Sequence, residues 1–283
     1  MGKIKIFTDS TSDLSKEIIE KNNISIVPLG VIFGDDLYKD GENITTVELY
    51  KKVGELKQLP KTNAPAPGDF HKAFEPFVND GYDIVYISLS SHLSATYQNA
   101  LLAKDMFPQG RINVVDSGNL STGIGILVLK AVGFANQGLS ALEIVDKITA
   151  LVPKVRTEFV IDTLEYLHKG GRCSTVQKFA GGLLKIQPAV KVVEGKMQPS
   201  QKFRGKRVKA LNGIISTILK DKGNLDLDYV LIPQSLAKEG AQYVVEKIQQ
   251  ELPEIKQIIT TEAGCVISSH CGPNTVGLSY IVK

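Results

Sequence analysis

The stretch DIVYISLSSHLSATYQNA, residues 83–100, turns an apolar run into a helix-like segment through a cluster of hydroxyls. Residues 83–89 read as a buried strand, and a helix is expected from about Leu93. Ser88, Ser90, Ser91, Ser94 and Thr96 fill the junction. One or two hydroxyls suffice to cap a helix, so the surplus raises the question of what else they hold.

The same order recurs on either side. KIKIF (residues 3–7) reads as a strand and residues 14–21 as the helix behind it. RINVV (111–115) is a further strand, followed by GILVLKAVGFANQ (125–137) as a largely buried helix. Strands alternating with helices imply parallel βαβ units and an α/β sheet. Thr45 with Glu48, and Ser140 with Glu143, have the capping-box spacing of helix starts. Between Ile24 and Gly41 the Gly-Asp and Asp-Gly pairs mark a hairpin excursion.

Beyond LVPKVR (151–156) the pattern changes. EFVID (158–162), AVKVV (189–193), KMQPSQKF (196–203), YVLIP (229–233) and CVISSH (265–270) are short strand candidates. Helices are expected over 206–220, striped by Val208, Leu211, Ile215 and Ile218, and over 238–252. The expected fold is therefore α/β, with an N-terminal parallel-sheet α/β domain over 1–153 and a C-terminal α+β domain over 154–283.

At 283 residues the chain is long enough for two such units, and its composition, 43% hydrophobic and 22% charged, is that of a globular protein. A net charge of +3 is too small to drive nucleic-acid binding. MGKIKIFTDS does not read as a signal peptide, and no apolar stretch reaches the roughly 18 residues of a membrane span. The three cysteines, Cys173, Cys265 and Cys271, are odd in number and irregularly spaced, which suits reduced thiols in a cytoplasm.

After each first-half strand comes a loop rich in Ser, Thr and Asp: TDSTSD (8–13), SLSSHLSAT (88–96) and DSGNLSTGIG (116–125). Ligands of open α/β sheets bind at the carboxyl ends of the strands, where helix N-termini favour anions. Helix capping accounts for any one loop; all of them at one edge point to an anion site. A nucleotide is not indicated. The chain has no GxxxxGK[ST] loop, and Gly123 with Gly125 lacks the third glycine and the ribose-binding acid. His270, Cys271 and Cys265 lack a second ligand pair for zinc, and no metal is expected. Ser94 or Ser121 with His270 stays open as a hydrolytic pair, although GxSxG is absent.

His270 lies in SSHCGPNTVGL, at a turn expected to follow a strand. It is either an ordinary turn residue or a donor to a carboxylate, whose charge would raise its pKa. Residues 195–220 contain no acid but carry Lys196, Lys202, Arg204, Lys206, Arg207, Lys209 and Lys220. This segment is either a solvated face or a docking patch for an acidic partner.

TDSTSDL (8–14), TNAPAP (62–67), SSHLSATYQNA (90–100), DSGNLSTGIG (116–125), DTLEYLHKGGR (162–172) and SHCGPNTVGL (269–278) together resemble, in order, the motifs of the DegV family. These are bacterial fatty-acid-binding proteins that include the binding subunit of fatty acid kinase. The resemblance implies a long-chain fatty acid in an apolar tunnel between the domains. Its carboxylate would be hydrogen-bonded by Thr62 and Ser94 and lie near His270, with Ser121 and Arg172 as further head-group candidates. It also implies a separate ATP-dependent kinase as partner, docked with the help of Arg204. The chain itself would be a cytoplasmic binding subunit without a cofactor and not an enzyme. Asn63, Ala66, Ala95 and Asn274 depart from the family's usual residues, whereas Thr62, Ser94 and His270 keep them. A standalone acyl-ester hydrolase and a lipid-responsive sensor are the alternative functions.

Overall fold

The computed structural model describes residues 2–173 and 186–283. In the first half, in chain order, run β1 (Lys3–Asp9), α1 (Lys16–Lys21), β2 (Ser25–Val27), β3 (Gly30–Phe33), β4 (Asp36–Lys39) and α2 (Thr46–Leu56). They are followed by β5 (Lys61–Asn63), α3 (Pro67–Asn79), β6 (Tyr82–Ser88), α4 (Thr96–Lys104), β7 (Ile112–Asp116), α5 (Thr122–Asn136) and α6 (Ala141–Leu151). The apolar runs read as strands become a parallel sheet of order β2-β1-β6-β7. Ile84 to Ile87 are wholly buried at its centre, as a sheet covered on both faces requires. Both capping boxes form, Thr45 with Glu48 and Ser140 with Glu143. The hairpin excursion is the antiparallel pair β3–β4, and β3 also pairs with β5, which sets Val31 opposite Thr62. Helix α3 was not read from the sequence; its Pro67 occupies the first turn, where a missing N–H costs nothing.

The second half contains β8 (Val155–Val160), α7 (Glu165–Gly170), β9 (Ile186–Val193), β10 (Lys196–Arg204), α8 (Arg207–Lys220), β11 (Tyr229–Ser235) and α9 (Lys238–Glu251). It ends with β12 (Gln257–Glu262), α10 (Cys265–Cys271) and β13 (Thr275–Ile281). Its mixed sheet has the order β10-β9-β8-β13-β11-β12, with β11–β12 the parallel pair. CVISSH corrects the sequence expectation: it is the helix α10, not a strand. The Asp40 carboxylate accepts the N–H of Cys265 at 2.7 Å and of Val266 at 3.2 Å, and Asp13 accepts that of Gly264 at 2.8 Å. These carboxylates satisfy the helix's first donors, and both come from the other half of the chain, so no local pattern announces them. The strand that the turn was thought to end instead follows it, as β13.

Helix α5 joins the two layers. Residues 122–132 are all buried, and the helix packs on β1 and β6 of one sheet and on β8, β11 and β13 of the other. A helix apolar all round is what such a position demands. Gly123 belongs to this packing rather than to a dinucleotide loop, because a Cβ there would overlap the Asn119 side chain. Lys130, the one charged residue among these, is neutralised by Asp226 at 2.6 Å and Asp228 at 2.7 Å. The largest apolar cluster runs through both halves, from Ile6 and Leu29 to Leu231 and Ile281.

Candidate functional site

Most hydroxyls of the opening stretch are spent inside the fold. Ser88 Oγ donates to Leu89 O at 3.0 Å and Ser90 Oγ to Gly195 O at 2.8 Å. The Ser91 N–H turns to the Asp116 carboxylate, and Thr96 is fully buried with its Oγ1 2.8 Å from Ser94 Oγ. In the preceding loop, Asp9 accepts the Leu89 N–H and the Tyr86 hydroxyl, each at 2.9 Å. These bonds fix the strand ends. Of the five hydroxyls in residues 88–96, Ser94 alone lines a cavity of about 350 Å³.

That volume falls in the range of roughly 300–1,000 Å³ typical of small-molecule sites. Its walls are apolar and come from both halves: Leu29, Leu93 and Leu120 on one side, Phe159, Val266 and Ile267 on the other. Thr62, Ser94, Ser121, Arg172 and His270 all line it as well. Arg204, by contrast, is exposed at the end of β10 and outside the lining. Lys202, Lys206 and Lys209 are exposed in the same basic segment, whereas the Arg207 guanidinium turns inward to Asn274 O.

Each polar group is held by a different element. Thr62 sits on β5 with its Oγ1 3.0 Å from His270 Nε2. Ser94 precedes α4, where its Oγ also accepts the Thr96 N–H at 3.3 Å. Ser121 precedes α5 with φ 51° and ψ −138°, a backbone region that disfavours side chains, and its Oγ donates to the buried Asp13 carboxylate. Burial pushes the Asp13 carboxyl well above its usual range.

His270 lies in the last turn of α10, not in a turn after a strand. As a residue it is partly exposed, but its Nδ1 is fully enclosed. Burial, then the nearby Arg172 charge, lower its pKa to about 4, so the ring is neutral around pH 7. The KGGR segment supports this corner. Gly171, with φ 69°, closes α7 in a left-handed turn, and Arg172 Nη1 donates back to Gly170 O at 2.8 Å. Asp13, Asp40 and Gly170, which seat α10 and its histidine, were not singled out in the sequence. Asp13 fell within the TDSTSD loop, Asp40 within the Asp-Gly turn and Gly170 within KGGR, but no local pattern tied any of them to His270.

The arrangement can enclose an aliphatic segment and offer neutral hydroxyls, an imidazole and a guanidinium to a polar terminus. The fold and this cavity define a class: α/β proteins with an apolar pocket that closes on a small set of hydrogen-bonding groups. Within that class the chain belongs to the DegV family, whose model, described as that of an uncharacterised protein family, matches residues 3–283. The resemblance read from the motifs and the α/β expectation are thereby confirmed. A DegV domain-containing protein of Caldanaerobacter subterraneus is 35% identical over the whole of both chains. The solved structure of a Thermus thermophilus DegV family protein, described by its fatty acid binding, is 30% identical with a TM-score of 0.93, covering 99% of this chain and 100% of that one. A stearic-acid-binding protein of Eubacterium ventriosum is likewise 30% identical, with a TM-score of 0.88 and 99% and 98% coverage. Solved members of the family thus bind fatty acids.

Proposed function

We propose that this chain holds a long-chain fatty acid in its cavity and presents the carboxylate to a separate ATP-dependent kinase, which forms the acyl phosphate. The observation that carries the reading is the apolar cavity with the Thr62–His270 pair and Ser94 in its lining. Buried methylenes contribute about 0.8 kcal/mol each, so a chain of roughly 15 gains on the order of 12 kcal/mol before the costs of binding. Neutral hydroxyls of Thr62 and Ser94 hydrogen-bond the carboxylate and leave it free to gain a phosphoryl group. Residues 1–153 and 154–283 act as two domains, each supplying one wall. Arg204, exposed outside the cavity, is the contact for the kinase, and Arg172 is a further head-group contact. The buried cysteines Cys173, Cys265 and Cys271 suit a reducing cytoplasm.

Among the described residues the hydrolase alternative finds no assembled triad. His270 Nε2 faces a threonine, its Nδ1 has no orienting carboxylate, and the Ser94 and Ser121 hydroxyls pair with Thr96 and Asp13. Among the described residues no helix is long and apolar enough to cross a membrane.

Mass spectrometry of the organic extract from detergent-free protein tests the reading. A stoichiometric fatty acid is the expected result; an empty extract, with no uptake of added fatty acids, would overturn it. Incubating the loaded protein with a cognate kinase and ATP tests the second step, since a sensor yields no acyl phosphate.

A further inference from the structure

The hairpin of β9 and β10 is anchored at its base and touches the other half of the chain at its tip. At the base, β9 pairs with β8 from Ala189 to Lys191, and Ser200 Oγ of β10 donates to the buried Glu158 carboxylate of β8. Phe203 lies hard against Gly213 of α8, where a Cβ would overlap its ring. Beyond Lys191 the pairing with β8 stops, and Val192 and Val193 pair only with Met197 and Lys196 of their own hairpin. A register shift between Pro199 and Lys202 marks where this arm leaves the base.

The tip is the turn of Glu194 and Gly195, with φ 49° and 75°. Ser90 Oγ of the first half donates to Gly195 O at 2.8 Å and accepts the His92 N–H at 3.3 Å. A Cβ at Gly195 would stand 2.7 Å from both Ser90 Oγ and His92 Cδ2, so only the bare backbone of glycine seats there. Among the described residues, the arm's other hydrogen bond to the rest of the chain is a long one, from Cys173 Sγ to Met197 O at 3.4 Å.

Between base and tip the arm walls two cavities. Val192, Val193, Glu194 and Gly195 line one of about 670 Å³, and Met197 lines the apolar cavity of about 350 Å³. Thr157 of β8 belongs to both linings, so the two cavities are neighbours under one arm. A two-stranded hairpin is marginal in water by itself, so the arm stays down through what its tip and inner face touch. Elements with so few ties to the core are the ones that open locally.

We propose that residues 192–197 form a strap over the two cavities, latched to the first half by Ser90 and Gly195, and that an aliphatic ligand enters and leaves when the latch releases. Lifting the tip withdraws Met197 from the wall of the smaller cavity and joins that cavity to the larger one, while both sheets keep their packing on α5. The ligand rests on the fatty-acid reading; the strap does not.

Stopped-flow exchange of palmitate on the full chain tests this, because a gate changes uptake and release together and leaves Kd alone. Ser90→Ala is expected to speed both by about three- to tenfold, the weight of one neutral hydrogen bond, with Kd within roughly twofold of wild type. Ser90→Cys with Gly195→Cys, once oxidised, is expected to slow both by at least about tenfold, and reduction to restore them. Unchanged rates in Ser90→Ala, faster release without faster uptake, or a cross-linked protein that exchanges palmitate as fast as wild type each overturn the proposal. Hydrogen exchange of the unliganded protein gives a second readout. Amides of residues 192–197 should exchange about three- to tenfold faster in Ser90→Ala while those of residues 155–160 keep their protection, and equal protection of the arm in both proteins overturns the strap. Wild-type protein that takes up no palmitate would sink the fatty-acid reading instead, and amide exchange would still decide the strap, as it would if the cross-link failed to form.

Discussion

Thr62 and His270 stand 208 positions apart in the chain and 3.0 Å apart in space. The contact is assembled by two unrelated devices. Pairing with β3 places β5 and its Thr62, while carboxylates from Asp13 and Asp40 seat the first turn of α10, whose last turn carries His270. The polar end of the cavity is therefore a tertiary construction.

Removing the Thr62 and Ser94 hydroxyls should weaken a fatty acid selectively. Thr62→Ala with Ser94→Ala deletes two hydrogen bonds to a charged group, each worth about 1.5–3 kcal/mol. Calorimetric titration with palmitate should show at least a hundredfold loss, roughly, while circular dichroism stays that of the folded protein. Unchanged affinity would move the carboxylate elsewhere.

Ser121 should behave differently although it lines the same cavity. Its hydrogen is committed to Asp13, so Ser121→Ala leaves a buried carboxyl short of a donor. Denaturant titration should report a loss of about 1–3 kcal/mol, with palmitate affinity within roughly threefold of wild type. A large loss of affinity without loss of stability would make Ser121 a head-group contact.

Acid should penalise the native state through His270. Its folded pKa, about 4, lies below the ordinary 6.5, so the unfolded chain binds the proton more readily. Stability from this residue is complete above about pH 6.5 and is lost as pH falls toward 4, by at most roughly 3 kcal/mol. Asp9, Asp13 and Asp40 are shifted upward by burial and act in the opposite sense, stabilising the fold on acidification. The histidine is isolated by subtracting the profile of His270→Gln. The wild-type advantage should shrink below pH 6.5, and a flat difference would show that the ring stays exposed to solvent.

Arg204→Ala separates the two halves of the proposed function. The residue is exposed and outside the cavity lining, so palmitate binding should be unaltered. Acyl phosphate formation in a reconstituted kinase assay should fall by about tenfold, the loss expected of one charged interface contact. Equal rates would return the basic segment to a solvated face.

The strands around residues 83–89 and 111–115 were legible because unbroken apolar runs between turn signals leave little choice, and Thr45 and Ser140 announced their helices through local capping chemistry. CVISSH was not legible. A short apolar run fits helix or strand equally, and the choice was made by Asp13 and Asp40, both remote in sequence. The hydroxyl surplus after Tyr86 also misled in part. Ser88 and Ser90 anchor backbone, Thr96 buttresses Ser94, and Ser94 alone reaches the cavity. Composition could locate the right edge of the sheet without saying which hydroxyl faces inward.

Helix α5 has a consequence for how anything enters or leaves. Because one helix packs against both sheets, swinging the sheets apart would strip apolar cover from α5. Any path into the cavity therefore has to open without parting the two sheets at α5.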